Sequence, residues 1–167
     1  MPVISQPMYR KKLSPEQALQ KARHYCRYQE RCPQEVRQKL YTLGLTGHDV
    51  DALLEKLTED DFLNEERFAL QFAGGKFRLK QWGRQKIRYE LRLKKISPAC
   101  IEQALAGIDP EEYEKVLFTL VRKKWDALTA TEGKSALLRS KLLLYLGQKG
   151  YEAEEVRQAL KKIEGPA

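Results

Sequence analysis

From Ser14 onward, apolar residues recur at steps of three and four, and no stretch alternates with period two between turn residues. That pattern predicts an all-helical chain. Ser14-Pro15-Glu16-Gln17 supplies an N-cap, a proline at the first helical position and a capping-box glutamine. Leu19, Ala22 and Cys26 follow on one face. Pro33 opens a second helix with Val36 and Leu40 inward, and Gly44 is placed to end it. A third helix runs from about Gly47 to Leu57 through Val50, Leu53 and Leu54. The set then recurs. Asn64 caps a helix carrying Phe68 and Phe72. Another helix spans about Trp82 to Lys94 with Ile87 and Leu91 inward. Ser97-Pro98 opens a short one with Ile101 and Leu105. A third cycle begins near Asp109-Pro110, carrying Tyr113, Val116, Leu117, Leu120, Val121 and Trp125, followed by helices over about 134–149 and 152–163.

Counting tests the recurrence. Leu40, Leu45, Val50 and Leu54 are spaced 5, 5 and 4; so are Leu91, Ile96, Ile101 and Leu105, and Leu146, Tyr151, Val156 and Leu160. Three such series, each at the end of a three-helix cycle, predict tandem units. The expected organisation is a flexible N-terminal arm over 1–13 and three-helix repeats over 14–61, 62–107 and 108–164. A unit of about 50 residues buries little core of its own, so neighbours must share stability, and the expected architecture is an elongated, curved helical array with an extended groove.

Charge changes this picture most. Residues 74–95 hold nine basic residues (Lys76, Arg78, Lys80, Arg84, Lys86, Arg88, Arg92, Lys94 and Lys95) against one acid, Glu90. Their net +8 equals that of the whole chain. Residues 9–39 sum to +6 and residues 49–66 to −7. Concentrated charge predicts a polyanionic or acidic partner, and alternating blocks suit a long one. On a helix over 84–95, Arg84, Arg88, Arg92 and Lys95 fall within an arc of about 80°, in reach of several phosphates. Trp82 and Tyr89 can stack on bases, although a tryptophan beside a glycine at a helix start, taken alone, reads as packing. The candidate binding residues are therefore Lys76, Arg78, Lys80, Trp82, Arg84, Lys86, Arg88, Arg92, Lys94 and Lys95.

Catalytic chemistry finds no constellation. The two histidines, His24 and His48, lack ligand partners at helical spacing; His24 and Cys26 face apart. No nucleophile elbow, phosphate-binding glycine loop or zinc-protease motif is present, and Gly74-Gly75 reads as a bend or a close helix contact. Glu59-Asp60-Asp61 with Glu65 and Glu66 reads as acids at a helix start, and no metal is assigned. Three cysteines without C-x-x-C spacing, no signal-like start and no long apolar run predict a cytoplasmic protein that binds no membrane, needs no cofactor and is not an enzyme. With no self-complementary apolar stripe left over, a monomer is expected.

Several motifs resemble the RecX family of bacterial regulators of the RecA recombinase. Asp61-Phe62-Leu63-Asn64-Glu65-Glu66-Arg67-Phe68-Ala69 is similar to that family's acidic-aromatic motif between its first two units. Gly83 through Leu91, with Lys86-Ile87-Arg88 and Glu90-Leu91, resembles its glycine, basic-Ile and Glu-Leu signature. Glu35, Val36, Lys39 and Leu40 resemble the shorter pattern of the first unit, and Lys149-Gly150-Tyr151 the closing turn of the third. The likeness covers about residues 14–163. Three positions depart from it: Gln81 stands where glycine is frequent, Arg84 where proline commonly follows, and Lys95 where glycine usually precedes the aliphatic residue. The resemblance implies a non-enzymatic modulator, usually an inhibitor, that lies along the groove of the RecA–DNA filament and contacts recombinase subunits and single- or double-stranded DNA. It places the chain in homologous recombination, DNA repair and the SOS response. The alternative, on charge alone, is a general nucleic-acid-binding helical protein without a recombinase role.

Overall fold

The computed structural model describes residues 12–133 and 135–165; most of the N-terminal arm expected over 1–13 lies outside them. Among the described residues there are nine helices and no strand. They are α1 Pro15–Tyr28, α2 Pro33–Thr42, α3 Gly47–Glu59, α4 Glu65–Lys80, α5 Arg84–Leu93, α6 Pro98–Ala106, α7 Pro110–Glu132, α8 Ala136–Lys149 and α9 Ala153–Glu164. The all-helical class and the tandem three-helix pattern are as the periodicity predicts. The helices form two compact units, one ending at Phe68 and one starting at Ala69, so the boundary falls inside α4.

Helix starts follow local chemistry. Ser14 Oγ accepts from the Gln17 N–H at 3.3 Å, and Gln17 Oε1 accepts from the Ser14 N–H at 3.1 Å, which completes the capping box. Asn64 Oδ1 accepts from the Arg67 N–H at 2.9 Å. α1, α2, α6 and α7 each begin on proline, where the missing N–H costs nothing.

The 5, 5, 4 spacing has a structural cause. In every set the second helix ends in the same turn: Leu45 N–H donates to Leu40 O at 3.2 Å, Ile96 to Leu91 O at 3.1 Å, and Tyr151 to Leu146 O at 3.0 Å. This is the six-to-one bond of the Schellman motif, and the residue before each donor is left-handed: Gly44 at φ 91°, Lys95 at φ 58°, Gly150 at φ 104°. The third helix then starts two residues after the donor, at Gly47, Pro98 and Ala153, so that Val50, Ile101 and Val156 each occupy its fourth position. All twelve residues of the three series are buried.

Glycine meets the left-handed requirement twice and lysine once. An L-residue there costs about 1–2 kcal/mol, part of which is offset because glycine adds entropy to the unfolded chain. Lys95→Gly is therefore expected to raise stability by about 1 kcal/mol, read as a higher urea midpoint at unchanged slope; a lower midpoint would contradict the strain argument.

Two expectations differ from the structure. α4 runs unbroken through Gly74 and Gly75, because neither glycine takes a positive φ and Ala69, Ala73 and Phe77 hold one face of the helix in the core. α5 begins at Arg84 and not at Trp82, and ends at Leu93, so Lys95 stands on the turn and not on the helix.

In the first unit α1, α2 and α3 enclose Ala22, Val36, Leu40, Leu45, Val50 and Leu57. Its charged blocks meet one another, Arg23 pairing with Asp60 at 3.2 Å and Arg37 with Asp51 at 2.9 Å, and Arg67, just beyond them, pairs with Glu30 at 2.5 Å and Asp61 at 3.2 Å. In the second unit α5 packs on α6, and α7 on α8 and α9.

Candidate functional site

The basic segment is positioned by one junction in the second unit. The start of α5 abuts the turn between α8 and α9. Gly83 N–H donates to Lys149 O at 2.8 Å and Gln85 N–H to Gly150 O at 2.9 Å, so carbonyls at the end of one helix satisfy open donors at the start of another. Contact is close enough that a Cβ on Gly83 would stand 2.4 Å from the Gly150 carbonyl carbon and oxygen. Three rings lie beneath. Phe77 stacks on Tyr113 with centroids 5.6 Å apart, and Tyr113 meets Tyr151 at 5.3 Å. The Tyr113 hydroxyl accepts from the Arg84 N–H at 3.0 Å, and the Tyr151 hydroxyl donates to Gln81 O at 2.9 Å. Burial pushes the Tyr113 phenol up to about 12 and raises Tyr151 as well.

The nine cations do not form one strip. Arg84 and Arg88 turn toward carboxylates of their own unit. Arg84 lies 3.8 Å from the Tyr113 ring centre and pairs with Glu155 at 3.5 Å. Arg88 grips Glu102 on α6 with two bonds, Nε to Oε1 at 2.8 Å and Nη2 to Oε2 at 3.2 Å, and Nη1 donates to Gln85 at 2.9 Å. By accepting these hydrogen bonds Glu102 pushes the Arg88 guanidinium up, and Arg88 in turn holds the Glu102 carboxyl below its usual range. Arg92 is exposed on the same face and adds its field to Glu102. Arg78 folds back over Gly74. Lys80 is exposed at the end of α4, and Lys95 on its turn.

Lys86 stands about 160° round α5 from Arg88 at 100° per residue, and there a second group gathers. Trp82, half-buried in the α4–α5 connection, meets Phe72 edge-on, with centroids 6.4 Å apart and planes at 65°. Lys76 Nζ lies 5.0 Å and Lys86 Nζ 4.5 Å from the Trp82 ring centre; Lys76 also lies 5.4 Å and Lys94 5.8 Å from that of Phe72. Of the candidate residues, the structure thus brings together Lys76, Trp82, Lys86 and Lys94. Phe72 was missed as their partner, although its four-residue step to Lys76 was visible on α4. Glu102, Tyr113 and Glu155 had no signal, since each reaches the basic segment from another helix.

Among the described residues, no three of His, Cys, Asp or Glu stand close enough to hold a metal ion, and no helix is long and apolar enough to cross a membrane. Cys26, Cys32 and Cys100 are not joined in disulfides, and burial pushes the Cys26 thiol up.

Residues 64–105 match the family model described as RecX, second three-helix domain. The chain is 31% identical to Regulatory protein RecX of Prosthecochloris aestuarii over 148 residues, which covers 87% of this chain and 93% of that protein. The chain belongs to the RecX family. Regulatory protein RecX of Clostridium beijerinckii is 32% identical over 129 residues; the match spans 77% of this chain but only 60% of that longer relative. The crystal structure of RecX from Lactobacillus salivarius shares the fold, with a TM-score of 0.80 over 90% of this chain and 96% of that one at 20% identity.

Two of the three departures from the RecX motifs sit where the backbone is left-handed: Gln81 at φ 56° and Lys95 at φ 58°. Glycine would take those conformations without cost, and this chain meets them with strained side-chain-bearing residues. The third departure has a hydrogen bond as its counterpart. Proline at Arg84 would remove the N–H that Tyr113 accepts.

Proposed function

We propose that this chain regulates a RecA-type recombinase, binding along the groove of the recombinase–DNA filament and suppressing its activity. The observation that carries the reading is the match to a regulatory RecX protein over most of both chains. The uneven charge supports it. Lys76, Arg78, Lys80, Lys86, Arg92 and Lys95 hold no ion pair among the described residues, and they offer a filament or its DNA positive groups that no internal carboxylate has taken. Arg84 and Arg88 serve the fold first. Reversing their charge would set like charges against Glu155 and Glu102 and would test stability as much as binding.

Cosedimentation with preassembled recombinase filaments, compared with naked DNA at matched salt, tests the reading. The chain is expected to pellet with filaments at concentrations where naked DNA retains little, and to lower recombinase ATPase activity in proportion. Equal retention on naked DNA, with a salt slope near −0.9 per neutralised phosphate and no effect on the ATPase, would reject it in favour of a general nucleic-acid binder.

A further inference from the structure

The group around Trp82 is unusual in what covers it. Phe72 backs the indole edge-on, and the charged ends of Lys76 and Lys86 lie over it at 5.0 and 4.5 Å. Two ammonium groups on one ring repel each other, and neither forms an ion pair among the described residues. The acid nearest along α5 is Glu90, one turn from Lys86. Each contact with the ring is a weak one at a half-exposed site and is easily exchanged for a phosphate, which binds ammonium through charge-assisted hydrogen bonds. A π-face flanked by two displaceable cations suits a nucleotide strand: phosphates take the lysines and a base takes the ring. The base must be free of its own stack, which excludes an intact duplex.

We propose that Trp82 is a stacking platform for one unpaired base of a single-stranded nucleic acid, with Lys76 and Lys86 holding the phosphates on either side. This deepens, and rests on, the reading of the chain as a ligand of a recombinase–DNA filament. An acidic peptide would engage the lysines equally well but would leave the ring face without a specific role, so a strand stripped of its bases discriminates.

The full chain is titrated with oligothymidylate of about 12 nucleotides, within the site sizes of single-strand binders, and with an abasic backbone of equal length. Binding is read by anisotropy and by intrinsic fluorescence; Trp125, buried in α7, supplies a constant background. Oligothymidylate is expected to quench Trp82 and to bind about 10-fold more tightly than the abasic strand, the scale of one stacked base. Trp82→Ala is expected to lose that factor, whereas Trp82→Phe keeps most of the affinity and loses the quenching. Lys76→Gln with Lys86→Gln is expected to reduce the salt slope by about 1.4, two single-strand phosphates. Equal affinity and equal quenching for the two strands would overturn the proposal. So would unchanged oligothymidylate affinity in a folded Trp82→Ala chain; should that variant lose helicity, the two strands on the parent chain and on Trp82→Phe decide. A chain that pellets with filaments yet treats both strands alike loses the stacking platform and keeps its regulatory role. A chain that stacks on thymidylate but ignores filaments loses the regulatory role alone.

Discussion

Gly83→Ala is expected to lower the stability of the second unit by about 3 kcal/mol, the upper range for overpacking a filled site. The added methyl would meet the Gly150 carbonyl carbon and oxygen at 2.4 Å and the Tyr151 nitrogen at 2.7 Å, all main-chain atoms that no rotamer change can move aside. The backbone of Gly83 is extended, with φ −77° and ψ 167°, so alanine suffers no conformational penalty and the effect isolates the collision. Relief requires α5 to withdraw from the α8–α9 turn, which stretches the bonds from Gly83 to Lys149 and from Gln85 to Gly150. Gly75→Ala is the control. Nothing lies within 4 Å of its Cβ and it sits inside α4, so it is expected to stabilise by about 0.5–1 kcal/mol. Urea unfolding followed by circular dichroism reads both. A Gly83→Ala loss no larger than an ordinary surface change would mean that the junction is not close-packed.

That junction also marks where the sequence stopped being legible. Helix positions, caps and the repeat were readable because each rests on contacts within a few residues. Ser14 with Gln17, Asn64 with Arg67, and the six-to-one turn behind the 5, 5, 4 spacing are all local. The basic segment was readable as composition but not as a surface. Its division into two faces depends on Glu102 and Glu155, 14 and 71 residues from their arginines, and spacing along the chain carries no trace of such pairs. Helical angles grouped Arg84, Arg88, Arg92 and Lys95, but Lys95 stands on the turn after α5, and Arg84 and Arg88 meet carboxylates of the same unit. Gly74-Gly75 misled for a related reason. Glycine marks a bend only when the backbone uses its freedom, and a helix held by Ala73 and Phe77 does not. Gly83 carried its information the other way: a glycine with ordinary dihedrals signals an approaching backbone, here from Gly150.

Leu91→Ala and Leu146→Ala are expected to destabilise the second unit by about 2–5 kcal/mol each, the range for emptying a well-packed core site. Both side chains are fully enclosed, and both carbonyls accept the six-to-one bond that closes the turn after their helix. They belong to different three-helix sets, and the sets share more than a chain connection. Arg84 N–H to Tyr113, Tyr151 hydroxyl to Gln81, and the Phe77–Tyr113–Tyr151 rings tie one set to the next. A set that small buries too little to fold alone, so the two substitutions should move a single transition rather than release separate ones. Leu40→Ala, the equivalent change in the first unit, should cost a similar amount but act on the core of α1, α2 and α3. Amide hydrogen exchange separates the cases. Leu91→Ala should weaken protection in α8 and α9 as much as in α5 and α6, whereas Leu40→Ala should act first on α1 to α3. Loss confined to α5 and α6 in the Leu91→Ala chain would show that each three-helix set stands by itself and that the aromatic junction carries little of the stability.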